Sequence, residues 1–235
     1  VTTSSGRTRR SPARTLTREQ VVAGAVRCID RDGPQMSMGA VAGEMGVAKP
    51  RLYRMFTDKS DLDGAVSDWL VAQIYTAVAP DLSLIMQPPQ ATIHRFLSAY
   101  AEVIAAHPNV FRFLVLTQSS SGADPSARPL DIGRRLSHDL AERSRSVLSS
   151  VAIDTDGIDH LLRGIVGFVV AVTDLWLDTD PVPRPQPTKI FVDRTTNAVC
   201  QLVDGFLREK GVVTKPDMSV AATLATITAA STTHE

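Results

Sequence analysis

Residues 37–62, SMGAVAGEMGVAKPRLYRMFTDKSDL, constrain the fold of this chain more than any other stretch. Met38, Val41, Ala42 and Met45 recur at helical spacing and make one apolar face. Ser37 precedes them in the position of a helix cap, and Gly46 follows where a helix end calls for a positive φ. Val47 and Leu52 then turn back onto the first helix, leaving Lys49, Arg51, Tyr53 and Arg54 on the outer side. Two short helices that bury one face and offer cations on the other have the layout of a helix-turn-helix reader of DNA. An ordinary antiparallel helix pair with a solvated basic face fits the same spacing, so the pattern alone leaves both readings open.

The flanks extend the helical pattern. Thr17 and Gln20 make a capping box, Val21, Ala25, Cys28 and Ile29 a buried stripe, and Gly33 with Pro34 a stop. Asp58, with Asp61 three residues on, caps a fourth helix that carries Leu62, Val66, Trp69, Leu70 and Ile74 to about residue 78. Lys59 falls in its first turn, where the helix dipole disfavours a cation and a phosphate would suit both.

Beyond a proline-broken loop, the spacing predicts a helix over 90–106 with Phe96, Tyr100 and Ile104 on one face. Over 110–117 (VFRFLVLT) the alternation would allow a strand, but the helical context favours a short helix, and a loop is expected over 119–129. A helix over 131–150 would face Ile132, Leu136, Leu140 and Val147 inward. An apolar helix over 158–177 and a last long helix over 189–210 follow, the latter with Ile190, Val192, Val199, Leu202, Val203, Phe206 and Leu207 inward. A short helix over 218–227 completes an all-α chain.

Net charge is zero, yet unevenly spread. Residues 1–60 hold 11 Lys and Arg against 5 Asp and Glu, and the remainder 14 against 20. A basic head on an acidic body places a nucleic-acid contact in the head. With 43% hydrophobic residues the chain has a core without staples. Cys28 and Cys200 have no partner at metal-ligand spacing and read as buried thiols in a reducing cytoplasm. No secretory leader is visible. The longest apolar run, 164–173, is short for a bilayer and is bounded by Arg163 and Asp174, which predicts a buried core helix and no membrane. The aspartates of 154–160 (DTDGIDH) lack the spacing of a calcium loop and are expected to cap the next helix. No metal, cofactor or enzyme is expected: the five histidines are unpaired, and HExxH, GxSxG, CxxC and Gly-rich phosphate motifs are missing from the sequence.

The string VAKPRLYRMFTDKSDL resembles the signature of TetR-family (tetracycline-repressor-like) transcriptional regulators. Gly46, Val47, Leu52, Tyr53, Phe56, Lys59 and Leu62 carry the match, which reaches back through residues 16–33. Ala48 departs from the small hydroxyl residue frequent there, and Met55 from a frequent histidine. The resemblance implies a homodimeric repressor that binds a palindromic double-stranded DNA operator and is released by a small molecule. It also implies that the last two long helices pair across a two-fold axis.

On that basis residues 1–15 are a basic flexible arm, 16–60 the helix-turn-helix domain and 61–235 a helical ligand-binding and dimerisation domain. Lys49 and Arg51 are expected at base edges, with Pro50 and Arg54 beside them. Ser37, Tyr53 and Lys59 are expected at phosphates. Arg9 and Arg10 would reach the minor groove, although a solvated tail has the same composition. An apolar effector would lie among Phe96, Tyr100, Phe111, Phe113, Phe168 and Trp176, with His107 or Asp174 as polar anchors, although helical aromatics are equally plain core. Two rival readings remain: a helical ligand-binding or scaffold protein without specific DNA binding, and a small all-α enzyme.

Overall fold

Every regular element among the described residues is a helix. The computed structural model describes residues 16–78, 87–120, 130–149, 154–178 and 187–213, together with 215, 218, 219, 222, 223 and 225. Its helices are α1 (Arg18–Asp32), α2 (Met38–Glu44), α3 (Lys49–Tyr53), α4 (Lys59–Ala77), α5 (Pro89–Ala106), α6 (Pro108–Ser120), α7 (Leu130–Ser149), α8 (Ile158–Leu177) and α9 (Thr188–Glu209). The all-α fold class is as the sequence predicts. The expected loop around Pro80, most of 119–129, the connector after Asp178 and most of 218–227 lie outside the described residues.

The first four helices follow local chemistry closely. The Thr17–Gln20 capping box opens α1, and Gly33, at φ +95°, closes it. Asp58 caps α4 by accepting from the Asp61 N–H at 2.9 Å. α1 packs on α2, α4 and α6, α4 also on α5 and α6, α5 on α9, and α8 on α7 and α9. One apolar cluster runs unbroken from Val21 on α1 through Leu62, Ala101 and Phe113 to Val199 on α9. A smaller one, around Ala141, Ile158 and Phe206, joins α7, α8 and α9 at the far end.

The body departs from the expected helix phases. α5 buries Leu97, Ala101 and Ile104 where Phe96, Tyr100 and Ile104 were expected. It packs on three neighbours, so its covered arc is broad and period alone does not centre it. α7 buries the small Ser137 and Ala141, with Leu136 and Leu140 flanking, because Arg163 of α8 reaches across to donate to the Ser137 hydroxyl at 2.9 Å. α9 buries Phe191, Thr195 and Thr196, while Ile190 and Leu202, expected inside, are exposed.

Two further expectations are corrected. The N-cap of α8 is Gly157, at φ +81°, with no side-chain cap. Asp154 instead accepts from the Asp156 N–H and from Lys210, and Asp159 pairs with Arg145. Nor is α8 a fully buried core helix. It buries Ile158, Val166, Thr173 and Trp176 and leaves Gly164, Gly167, Val170 and Leu175 open. At 20 residues with mean hydropathy 1.5, it is by length and composition able to cross a bilayer, and only 17% of that apolar window is buried within the chain.

Candidate nucleic-acid interface

The interface is built from the turn outward. The Ser37 hydroxyl accepts from the Ala40 N–H at 3.1 Å and fixes the start of α2. Met38, Val41 and Ala42 are buried beneath. After α2 the chain reverses at Gly46, φ +62°, where a side chain would be strained, and the Val47 N–H returns to the Ala42 carbonyl at 2.9 Å. Ala48 precedes α3 in extended backbone and, having no hydroxyl, makes no cap bond. Leu52 and Phe56 are fully buried and seat α3 on the core.

That seating decides what points outward. Lys49, Pro50, Tyr53 and Arg54 are exposed, and Tyr53 is 51% open despite its apolar ring. Arg51 is half-buried and borders a cleft of about 400 Å³ that Leu16, Gln20, Ala23, Arg27, Met45 and Val47 complete. Lys49 lies back over Gly39. A methyl group there would come within 2.9 Å of Lys49 Cε and 3.7 Å of the Ser37 hydroxyl, so the bare backbone brings Ser37 and Lys49 side by side. Lys59 does not stand alone at the start of α4: its ammonium bonds Asp63 Oδ2 at 2.6 Å. Arg9 and Arg10 lie outside the described residues.

Three sets of contacts hold this surface, and none shows in the local sequence pattern. Arg18 donates to the Met55 carbonyl and pairs with Asp61, while its guanidinium lies 4.1 Å from the centre of the Phe56 ring. It thereby clamps the exit of α3 to the entry of α4. Glu44 of α2 takes Arg27 at 2.8 Å and Arg31 at 2.7 Å from α1, and both hold its carboxyl below the ordinary carboxylate range. At that same C-terminal end of α1, Asp30 Oδ2 meets His107 Nδ1 at 2.8 Å, and the Asn109 amide donates to the Asp30 carbonyl at 3.0 Å. The His107 ring meets Trp69 of α4 edge-on at 5.0 Å, so one corner ties the head to α4 and to the α5–α6 junction.

Most of the residues expected at the effector pocket pack into the main apolar cluster. Phe111, Phe113 and Trp176 are buried core, and Trp176 stacks on Phe191 at 4.3 Å. The Tyr100 hydroxyl donates to Thr173 at 2.9 Å, since the Thr173 hydroxyl is itself spent on the Val169 carbonyl; burial raises the Tyr100 hydroxyl above its ordinary value. Phe168 is half-buried against the core, Phe96 half-buried, Asp174 exposed, and His107 is engaged with Asp30. A cleft of about 540 Å³ opens elsewhere, between α1 and α4, along Arg18, Glu19, Val22, Asp61, Gly64, Ala65, Asp68 and Trp69. Among the described residues no His, Cys, Asp and Glu side chains gather in a group of three able to hold a metal.

A basic surface on a short helix, seated behind a capped helix and a glycine turn, defines a helix-turn-helix regulator. Comparison with known proteins agrees. Residues 87–204, half of the chain, match the family model described as tetracyclin repressor-like, C-terminal domain. An uncharacterized HTH-type transcriptional regulator of Mycobacterium tuberculosis is 29% identical over 191 residues, covering 80% of this chain and 79% of the relative. A TetR-family regulator from Streptomyces coelicolor has the same fold, with TM-score 0.60 at 18% identity, over 90% of this chain and 88% of that one. So does a TetR variant from Acinetobacter baumannii solved with minocycline, with TM-score 0.59 at 17% identity, over 83% and 99%. The chain belongs to the TetR family of transcriptional regulators.

Proposed function

We propose that the protein is a homodimeric repressor that binds a palindromic operator and is released by a small apolar molecule. The observation that carries this reading is the exposed set on and just after α3, Lys49, Pro50, Tyr53 and Arg54, with half-buried Arg51 among them, seated from behind by Leu52 and Phe56. Lys49 and Arg51 read base edges, and Ser37, Tyr53, Arg54 and Lys59 take phosphates. The basic arm at residues 1–15, with Arg9 and Arg10, adds a minor-groove contact. Residues 16–60 form the DNA domain and 61–235 the ligand and dimer domain.

The dimer reading is supported by the open face of α8 and α9. Gly164, Gly167, Val170 and Leu175 on one helix and Ile190 and Leu202 on the other leave apolar surface uncovered. Two copies of that helix pair bury it as a four-helix bundle, which also accounts for the apolar length of α8 without a bilayer. The effector reading is supported by the aromatic residues around Tyr100, Phe168 and Trp176; the minocycline complex of the Acinetobacter relative is a precedent for a small ligand in this fold. A regulator acting on DNA works in the cytoplasm.

Selection of bound duplexes from a random pool tests the reading. An enriched inverted repeat is expected, since a two-fold dimer reads two like half-sites. Enrichment of no sequence, or of a single unrepeated site, would contradict it.

A further inference from the structure

The phosphate role given to Lys59 meets a competitor inside its own helix. The ammonium bonds Asp63 Oδ2 at 2.6 Å, one turn on, and lies 5.7 Å from the centre of the Phe113 ring on α6. Asp63 is 8% exposed, and its second oxygen, Oδ1, is buried without a hydrogen-bond partner. The neighbouring Ser67 hydroxyl donates to the Asp63 carbonyl and so does nothing for the carboxylate. Lys59 is therefore the counterion of a buried charge, and the same ammonium cannot fully serve a phosphate as well.

We propose that Asp63 is a positioning residue that withholds Lys59 from the DNA backbone, with the Phe113 face of α6 setting how firmly it is withheld. The inference rests on the reading of Lys59 as a phosphate contact. Drawing the ammonium outward leaves a carboxylate in a low-dielectric site without its partner, which opposes the transfer. Burial already lifts the Asp63 carboxyl above the ordinary range, and Lys59 is what pulls it back down. The cation–π contact adds to the hold on the ammonium from α6. A displacement of α6 in the body thus reaches a DNA contact without moving α3.

The test is the affinity for a random-sequence duplex, followed by fluorescence anisotropy over a range of salt. Asp63→Asn keeps an oxygen for the ammonium and removes only the charge. Asp68→Asn, on the exposed side of α4, controls for the loss of one negative charge. Asp63→Asn is expected to bind about two- to fivefold tighter than wild type, beyond the control, with a steeper salt slope. In a Lys59→Gln background that extra gain disappears. Phe113→Leu opens the cradle from the α6 side and is expected to tighten binding about twofold, so it carries the test should the α4 variant fail to fold. If Lys59→Gln leaves DNA affinity and salt slope unchanged, the phosphate reading falls and this inference with it. If Lys59→Gln weakens binding, yet Asp63→Asn gains no more than the control or gains equally without Lys59, the inference alone falls.

Discussion

Arg18 serves three partners at once: the Met55 carbonyl, the Asp61 carboxylate and the face of Phe56. Removing it unfastens α3 from α4, so Arg18→Ala should lower stability by about 1 kcal/mol, a figure kept small because the pair is partly solvated. Arg18 holds the Asp61 carboxyl below its ordinary value. That pairing stabilises the fold above the ordinary carboxylate value and is lost as pH falls through the lowered one. Denaturant midpoints at pH 7 and at about pH 3 should therefore show the wild-type advantage over Arg18→Ala shrinking in acid. A deficit that is constant with pH would place the effect in the Phe56 and Met55 contacts alone. On α3, Arg51→Ala should relax preference at one base position at about 1–3 kcal/mol, read by competition between operator variants. Equal loss on specific and random DNA would remove Arg51 from the base readers. Caps and turns of the first four helices were legible at this scale, because Thr17–Gln20, Ser37, Gly46 and Asp58 act within four residues of themselves, whereas the expected aspartate cap of α8 is not made. Arg18 with Asp61 and Asp30 with His107 were not, since partners 43 and 77 residues apart leave no periodic trace. Asp63 was visible only as a carboxylate four residues after Lys59 and beside Leu62 on the buried side of α4.

Among the elements, α8 bears most directly on the proposed dimer. A methyl group at Gly164 or Gly167 would meet nothing within 4 Å in the single chain. In a monomer, then, a larger residue there costs no contact and improves helix propensity. Across a two-fold bundle the same residue collides with the partner. Gly167→Leu should leave helicity of the chain intact while converting dimer to monomer in sedimentation at micromolar concentration, with the loss of thermal stability that dissociation brings. A Gly167→Leu protein that remains dimeric would put the two-fold axis elsewhere. Amphipathic period located α8 to the residue but misjudged its surroundings. A helix with one face on its own chain and the other left open can match in composition a helix buried all round. The phases of α5 and α7, and the places of Ile190 and Leu202 on α9, depart from the pattern for a related reason, while Val192, Val199 and Phe206 are buried as expected. The inward faces of these helices mix small or hydroxyl residues, Ala101, Ser137, Ala141, Thr195 and Thr196, with large ones such as Leu97, Ile104 and Phe191, so apolar period alone does not centre the buried arc.

At the scale of the whole molecule, a basic head and an acidic body share one core, so a change in the body has a packed route to the head through Asp30, His107 and Trp69. An effector shifts DNA affinity only by binding the two states of the head unequally, and operator must then weaken effector binding by the same factor. Trp176→Ala is a poor probe of that linkage, because a buried indole stacked on Phe191 costs about 3–5 kcal/mol to remove. Tyr100→Phe deletes only the hydroxyl bonded to Thr173. It should keep operator affinity and reduce release by the effector, measured by titrating effector into the protein–operator complex. Unchanged release would remove the Tyr100 hydroxyl from the effector site. Beneath the switch lies the claim that two recognition helices, one from each copy, read one site. The most direct measurement is sedimentation of the protein with a duplex carrying both selected half-sites, beside a duplex carrying one. Two chains on the full site and an affinity at least about tenfold weaker on the half-site are expected; a single chain on the full site, or equal affinity for both duplexes, would rule out paired reading.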